Sequence, residues 1–267
     1  MACQVFEENG ILAILGDRRR NVVEIFDADT TSALGLPADV IVRCDGRDYA
    51  PAGPITEIRV DLGSGNDDLA YYLGDPGISA NFQAPPTRLL NVAMGQGNDQ
   101  VRMLIDGFTG VSDDARGLGP GSWSIQVDLG TGNDRFALDL AADMVGVDLG
   151  SSVSASDLYV IAYGGPGHDL MDVVISQPVI LSQVYLDFIL RGGSGNDTLG
   201  VDAPNSLAAT DSTIVIERYG ESGRDRLDGV FVYETVGDVI VDHVIDGGPG
   251  PDLVSVVIRN RSRRPTV

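Results

Sequence analysis

An all-β fold, a parallel β-helix or β-roll solenoid, is the class this sequence predicts, and three observations carry the prediction. First, a short turn phrase, Leu62-Gly63-Ser64-Gly65-Asn66-Asp67, returns at Met94–Asp99 and Leu129–Asp134, and in looser form at Gly164–Asp169, Gly192–Asp197, Gly220–Asp225 and Gly247–Asp252. Its aspartates fall at 67, 99, 134, 169, 197, 225 and 252, in steps of 32, 35, 35, 28, 28 and 27 residues. A phrase recurring every few tens of residues marks a stacked array rather than one globular core. Second, each phrase is flanked by runs in which apolar residues alternate with polar ones, the signature of strands with one buried face. Third, helical spacing is poor, β-branched residues abound, and every turn carries Gly or Pro.

Taken in order, residues 1–48 lack a good copy of the phrase. Ile11–Leu15 and Val22–Phe26 read as strands around Gly16-Asp17-Arg18-Arg19-Arg20-Asn21, a degenerate first turn, and this segment is expected to cap the array. Arg18, Arg19 and Arg20 would then neutralise the end of an acidic column. Residues 49–258 form seven units of one grammar. A strand leads in (Ile58–Leu62, Ile125–Leu129, Leu158–Tyr163, Val184–Leu190, Ile214–Tyr219, Val239–Ile245), the turn follows, and a strand leads out (Leu69–Tyr71, Phe136–Leu140, Val173–Ile175, Val230–Tyr233, Val254–Ile258). Return segments are expected at Met144–Leu149, at Val179–Leu181 and around Leu207, with bulging loops at Gly74–Pro86 and Asp106–Gly121. Trp123, the single tryptophan, is expected to cover a core edge. Residues 259–267 form a basic tail bearing Arg259, Arg261, Arg263 and Arg264.

With an apolar residue two places after each aspartate (Leu69, Val101, Phe136, Met171, Leu199, Leu227, Val254), the phrase resembles the Gly- and Asp-rich nonapeptide of RTX (repeats-in-toxin), or hemolysin-type, calcium-binding proteins. The resemblance spans roughly 200 residues, counted from the recurrence of the turn. RTX arrays repeat the phrase about every nine residues, whereas here it comes once per unit, which implies one calcium-type corner per coil and a larger cross-section.

The residue types at the corner point the same way. Paired glycines open backbone angles closed to other residues, so that carbonyls can turn toward one point, and the aspartate brings a carboxylate to it. Stacked corners about 4.8 Å apart would assemble the oxygen donors that Ca²⁺ prefers. No nitrogen or sulfur donors stand there to favour zinc, copper or iron. The expected ligands are the carboxylates of Asp67, Asp99, Asp134, Asp169, Asp197, Asp225 and Asp252. Backbone oxygens would come from Gly63, Gly65, Gly95, Gly97, Gly130, Gly132, Gly165, Gly167, Gly193, Gly195, Gly248 and Gly250. Up to six Ca²⁺ ions would sit between the seven turns. The corner at Asp225, with Glu221 and Arg224, and the Pro-laden one at Asp252 are the poorest copies.

Composition narrows the function. Asp and Glu number 39 against 18 Lys plus Arg, a net charge of −21, and all 18 basic residues are arginine. Such acidity opposes nucleic acid and anionic membrane as partners and suits a cation-loaded protein. The absence of lysine hints at a GC-rich bacterial source. No apolar run is long enough for a membrane span. Cys3 and Cys44 are either one bridge or two buried thiols. The expectation is a monomeric, non-enzymatic, secreted or cell-surface calcium-binding module, with cell-surface or polysaccharide contact as its candidate interaction. The alternative is a polysaccharide-acting lyase- or epimerase-like β-helix, or its non-catalytic carbohydrate-binding or adhesin counterpart. Tyr71, Tyr72, Arg102 and Asp139 are its candidate groove residues, but no nucleophile elbow, phosphate loop or zinc spacing supports catalysis. His168 lies in a turn, and His243 is assigned an outward strand position. An ice-binding ladder is opposed by the Pro and Arg that interrupt the turn positions.

Overall fold

The computed structural model describes residues 3–27, 40–74, 87–106, 108–109, 116–118, 121–145, 147–148, 153–154, 156–176 and 178–260. The expected loop at 75–86, much of the one at 106–121, and Arg261, Arg263 and Arg264 lie outside them. Among the described residues the fold is all-β, with parallel strands in two long sheets.

The first sheet orders Gln4–Glu8, Ile11–Leu15, Glu57–Asp61, Thr87–Ala93, Gly121–Asp128, Ser156–Gly167, Val184–Gly195, Thr213–Gly223 and Ile240–Asp246. Every neighbouring pair after the first is parallel. The second sheet runs in parallel through Val22–Asp27, Asp68–Leu73, Gln100–Ile105, Arg135–Leu140, Leu170–Val174, Thr198–Thr210, Arg226–Val236 and Leu253–Asn260. The chain thus alternates between sheets, crossing at each Gly/Asp turn, so consecutive strands never close a hairpin there. The return segments form their own parallel ladder. Arg116–Leu118 pairs with Asp143–Val145, which pairs with Val179–Ser182, which pairs with Leu207–Thr210.

Parallel register turns the repeat into side-chain ladders. In the first sheet Leu12, Ile58, Leu90, Ile125, Val160, Phe188, Ile216 and His243 stand side by side. In the second the ladder is Val23, Leu69, Val101, Phe136, Met171, Leu199, Leu227 and Val254. All but the last of each are fully buried aliphatic or aromatic core, each rung worth about 1.5–3 kcal/mol of burial. Trp123 belongs to this interior, level with Arg88 and Leu158, and so is a core residue rather than an edge cover. His243 is paired with core residue Ile216, so it faces inward, contrary to the outward position read from Asp242. The alternation here is Val241, His243, Ile245 inside, and a lone polar residue among apolar neighbours conceals that phase.

The N-terminal end is closed by antiparallel pairing. Gln4–Glu8 folds back on Ile11–Leu15, and Val40–Cys44 lies between Val22–Asp27 and Arg47–Tyr49. Cys3 and Cys44 are disulfide-bonded, their Cα atoms 5.9 Å apart, which ties the two added strands together. Just inside this end sits a buried ion pair. Arg88 reaches Asp27 through Nε and Nη2, both at 2.7 Å, and the Tyr71 hydroxyl donates to the same carboxylate at 2.7 Å. Tyr71 is therefore fully buried and lines no groove. Tyr72 instead stacks on Phe26, ring centroids 5.1 Å apart.

Candidate metal centre

Each Gly/Asp turn stacks on the next, and the seven aspartates form one column. Oδ1 of each accepts the backbone N–H of the aspartate one turn earlier. Asp67 N–H donates to Asp99 at 2.7 Å, Asp99 to Asp134 at 2.7 Å, Asp134 to Asp169 at 2.8 Å, Asp169 to Asp197 at 2.8 Å, Asp197 to Asp225 at 2.8 Å, and Asp225 to Asp252 at 2.9 Å. The column ends on a neutral residue, because Asn21 occupies the aspartate place of the degenerate first turn and donates its N–H to Asp67 at 2.6 Å. Arg20 pairs with Asp68 rather than with the column, whose last carboxylate meets the Asn21 N–H.

From Asp67 to Asp225 these carboxylates are at most 3% exposed, whereas Asp252 is half-buried. Their second oxygens are the notable atoms. Oδ2 of Asp67, Asp99, Asp134, Asp169, Asp197 and Asp225 is buried without a hydrogen-bond partner. Burial pushes all six carboxyls above their ordinary range, opposed by the N–H that each accepts. Asp67 and Asp197 rise to about 6 and Asp134 to about 7, neighbouring aspartates adding to the effect of burial. Two carboxylates about 4.8 Å apart repel by roughly 3.5 kcal/mol at an effective dielectric near 20.

The glycines have steric reasons of their own. From Gly97 onward the second glycine of each turn packs its Cα against the previous turn's glycine carbonyl, while Gly65 packs against that of Arg19. An ideal Cβ on Gly97, Gly132 or Gly195 would overlap the oxygen of Gly65, Gly97 or Gly167. Of the expected backbone donors, the Gly63 oxygen accepts from the Gln96 N–H at 2.9 Å and the Gly95 oxygen from the Thr131 N–H at 2.8 Å. These carbonyls already serve the ladder between turns and offer a metal only their second lone pair. In the later turns a Cβ on Gly164, Gly192 or Gly220 would come within 2.6, 2.7 and 2.6 Å of the unpaired Oδ2 of Asp169, Asp197 and Asp225. The missing side chain leaves room for that oxygen.

A second, exposed ladder runs beside the first and was not foreseen. The N–H groups of Asn98, Asn133 and His168 donate to the side-chain oxygens of Asn66, Asn98 and Asn133 at 2.9, 2.8 and 2.9 Å. Asn196 N–H then donates to His168 Nδ1 at 2.8 Å, and Arg224 N–H to Asn196 Oδ1 at 3.0 Å. The recurrence of Asn one place before Asp in four turns was the available signal. His168 is a rung in this ladder. Glu221 holds a left-handed φ of 69° where the equivalent Gly193 has 99° and Gly248 76°, which preserves the turn at some strain.

The donor set fits a hard cation in type: oxygen alone, anionic, with six atoms lacking a partner. Among the described residues no three His, Cys, Asp or Glu side chains gather into a metal cluster. Each gap between turns contributes two carboxylates, and carbonyls would have to complete the shell. No protein family matches this chain, and no curated protein or solved structure shows significant similarity to it.

Proposed function

We propose that the chain is a calcium-binding structural β-solenoid of RTX-like character. In this reading its two parallel ladders wind as successive coils, and its Gly/Asp corners take up Ca²⁺ between turns. The observation that carries the proposal is the column of six buried carboxylates, each with one unpaired oxygen, stacked in register. Native structures rarely leave buried polar atoms unsatisfied, and adjacent buried anions favour a cation between them. Asp67, Asp99, Asp134, Asp169, Asp197, Asp225 and Asp252 would hold the ions. The bound metal supplies positive charge that offsets carboxylate repulsion and desolvation. The chain's own groups do the rest: backbone N–H groups orient each Oδ1, and the glycines admit the close approach of turns.

A disulfide and a strongly acidic surface suit an oxidising, extracellular or cell-surface setting where calcium is abundant. Coupling of binding to stacking makes the calcium-free chain less structured. Circular dichroism and thermal melts with and without chelator, together with metal content by mass spectrometry, test the proposal. Several bound Ca²⁺ and a large stabilisation are expected; an identical cooperative melt in chelator, with no metal bound, sinks it.

A further inference from the structure

The outward face of the first sheet carries a cluster that the calcium column does not use. On the strands Ser156–Gly167, Val184–Gly195 and Thr213–Gly223, Tyr159, Tyr185, Asp187, Arg191, Glu217 and Tyr219 alternate with core residues such as Leu158, Val160, Leu186, Phe188 and Ile216, so they point away from the core. Register sets Tyr159 beside Asp187 and Arg191 beside Tyr219. The Arg191 guanidinium lies over the Tyr219 ring at 4.7 Å. The Tyr219 hydroxyl donates to Glu217 at 3.0 Å, and that of Tyr185 to Asp187 at 3.4 Å.

A carboxylate on an outward face should be wet, yet Asp187 is 8% exposed, and its Oδ1 is buried without a partner. Burial, and then the charge of Glu217, push its carboxyl above the ordinary range. A buried acceptor with no donor marks a place where a ligand hydroxyl would be stabilised. Tyrosine rings beside it offer apolar faces with polar rims.

We propose that this face binds an uncharged oligosaccharide. Sugar C–H faces lie on the rings of Tyr159 and Tyr185, while hydroxyls donate to Asp187 and Glu217 and accept from Arg191. Asp187, Glu217 and Glu221, the last 3.5 Å from the Arg191 guanidinium, stand against that one cation on a chain of charge −21 and repel polyanions, which selects neutral glycans over acidic ones. A hydroxyl-rich ligand also supplies the donor that Asp187 Oδ1 lacks.

The test is isothermal titration calorimetry on the intact, disulfide-bonded chain, in chelator and again in calcium. The probes are uncharged hexasaccharides of the glucan, xylan, mannan and chitin types, with polygalacturonate and an oligolysine peptide as charged comparators. At least one uncharged glycan should bind. Tyr159→Ala, Tyr185→Ala and Asp187→Asn should each weaken it about tenfold while the circular dichroism spectrum of the folded chain is retained, and Tyr159→Phe should retain binding. The proposal is overturned if no uncharged glycan binds, if binding survives all three variants, or if polygalacturonate or oligolysine binds in their place. Titration in calcium, where the chain is folded whether or not its corners hold ions, keeps this outcome separate from the fate of the calcium reading.

Discussion

Asp134→Asn separates a metal-bridged column from a merely hydrogen-bonded one. Asp134 stands mid-column, 3% exposed, its Oδ1 holding the Asp99 N–H at 2.7 Å and its Oδ2 without a partner. Asparagine keeps the acceptor and removes the charge. Raising this carboxyl from 3.8 to about 7 costs the ionised, metal-free protein on the order of 4 kcal/mol at neutral pH, an upper bound before relaxation. In chelator, Asp134→Asn should therefore be as stable as the parent or more so, with a melting temperature higher by several degrees, at about 2–4 °C per kcal/mol for a chain of this size. In millimolar calcium the order should invert, because the parent gains two bridged gaps around Asp134 that the variant lacks. The assay is a thermal melt of both proteins in both conditions. If Asp134→Asn is destabilising by the same amount with and without calcium, the carboxylates act only as backbone acceptors, and the metal reasoning is refuted.

Three further outcomes follow from the same structure. The folded-state carboxyl values of the column lie above their unfolded ones, so without metal their contribution is fully present below about pH 4 and is lost as pH rises through about 6–7. Urea unfolding in chelator should accordingly show stability falling from pH 4 to 7.5, and calcium, which needs the ionised form, should reverse the slope. Arg88→Ala leaves Asp27 buried against Tyr71 alone and should cost about 3–5 kcal/mol, whereas the double change Asp27→Asn with Arg88→Met should recover most of that loss in chemical denaturation. Glu221→Gly relieves a left-handed φ of 69° and should stabilise the chain by roughly 1 kcal/mol, measured as a higher denaturation midpoint with unchanged slope.

What the sequence determined by itself is the periodic part of this protein. A turn phrase at near-constant spacing and strands of period two predicted an all-β chain of parallel strands, and the apolar residue two places after each aspartate became a core ladder from Leu69 to Leu227, with Val254 exposed at its end. These features are local and repeated, so each copy corroborates the others. The tertiary structure alone decided which atoms meet. From Asp99 to Asp252, Oδ1 of each column aspartate is committed to an N–H 27 to 35 residues earlier in the chain, and Oδ2 of Asp67 through Asp225 is left unpaired. Asn21 stands in for an aspartate across a degenerate turn, Asp27 finds Arg88 and Tyr71 inside the core, and His243 turns inward beside Ile216. The pairings of Asn21 with Asp67 and of Asp27 with Arg88, 46 and 61 residues apart, join residues whose separation carries no periodic signal. Only the parallel register, which sums the burial of many rungs, brings them within reach.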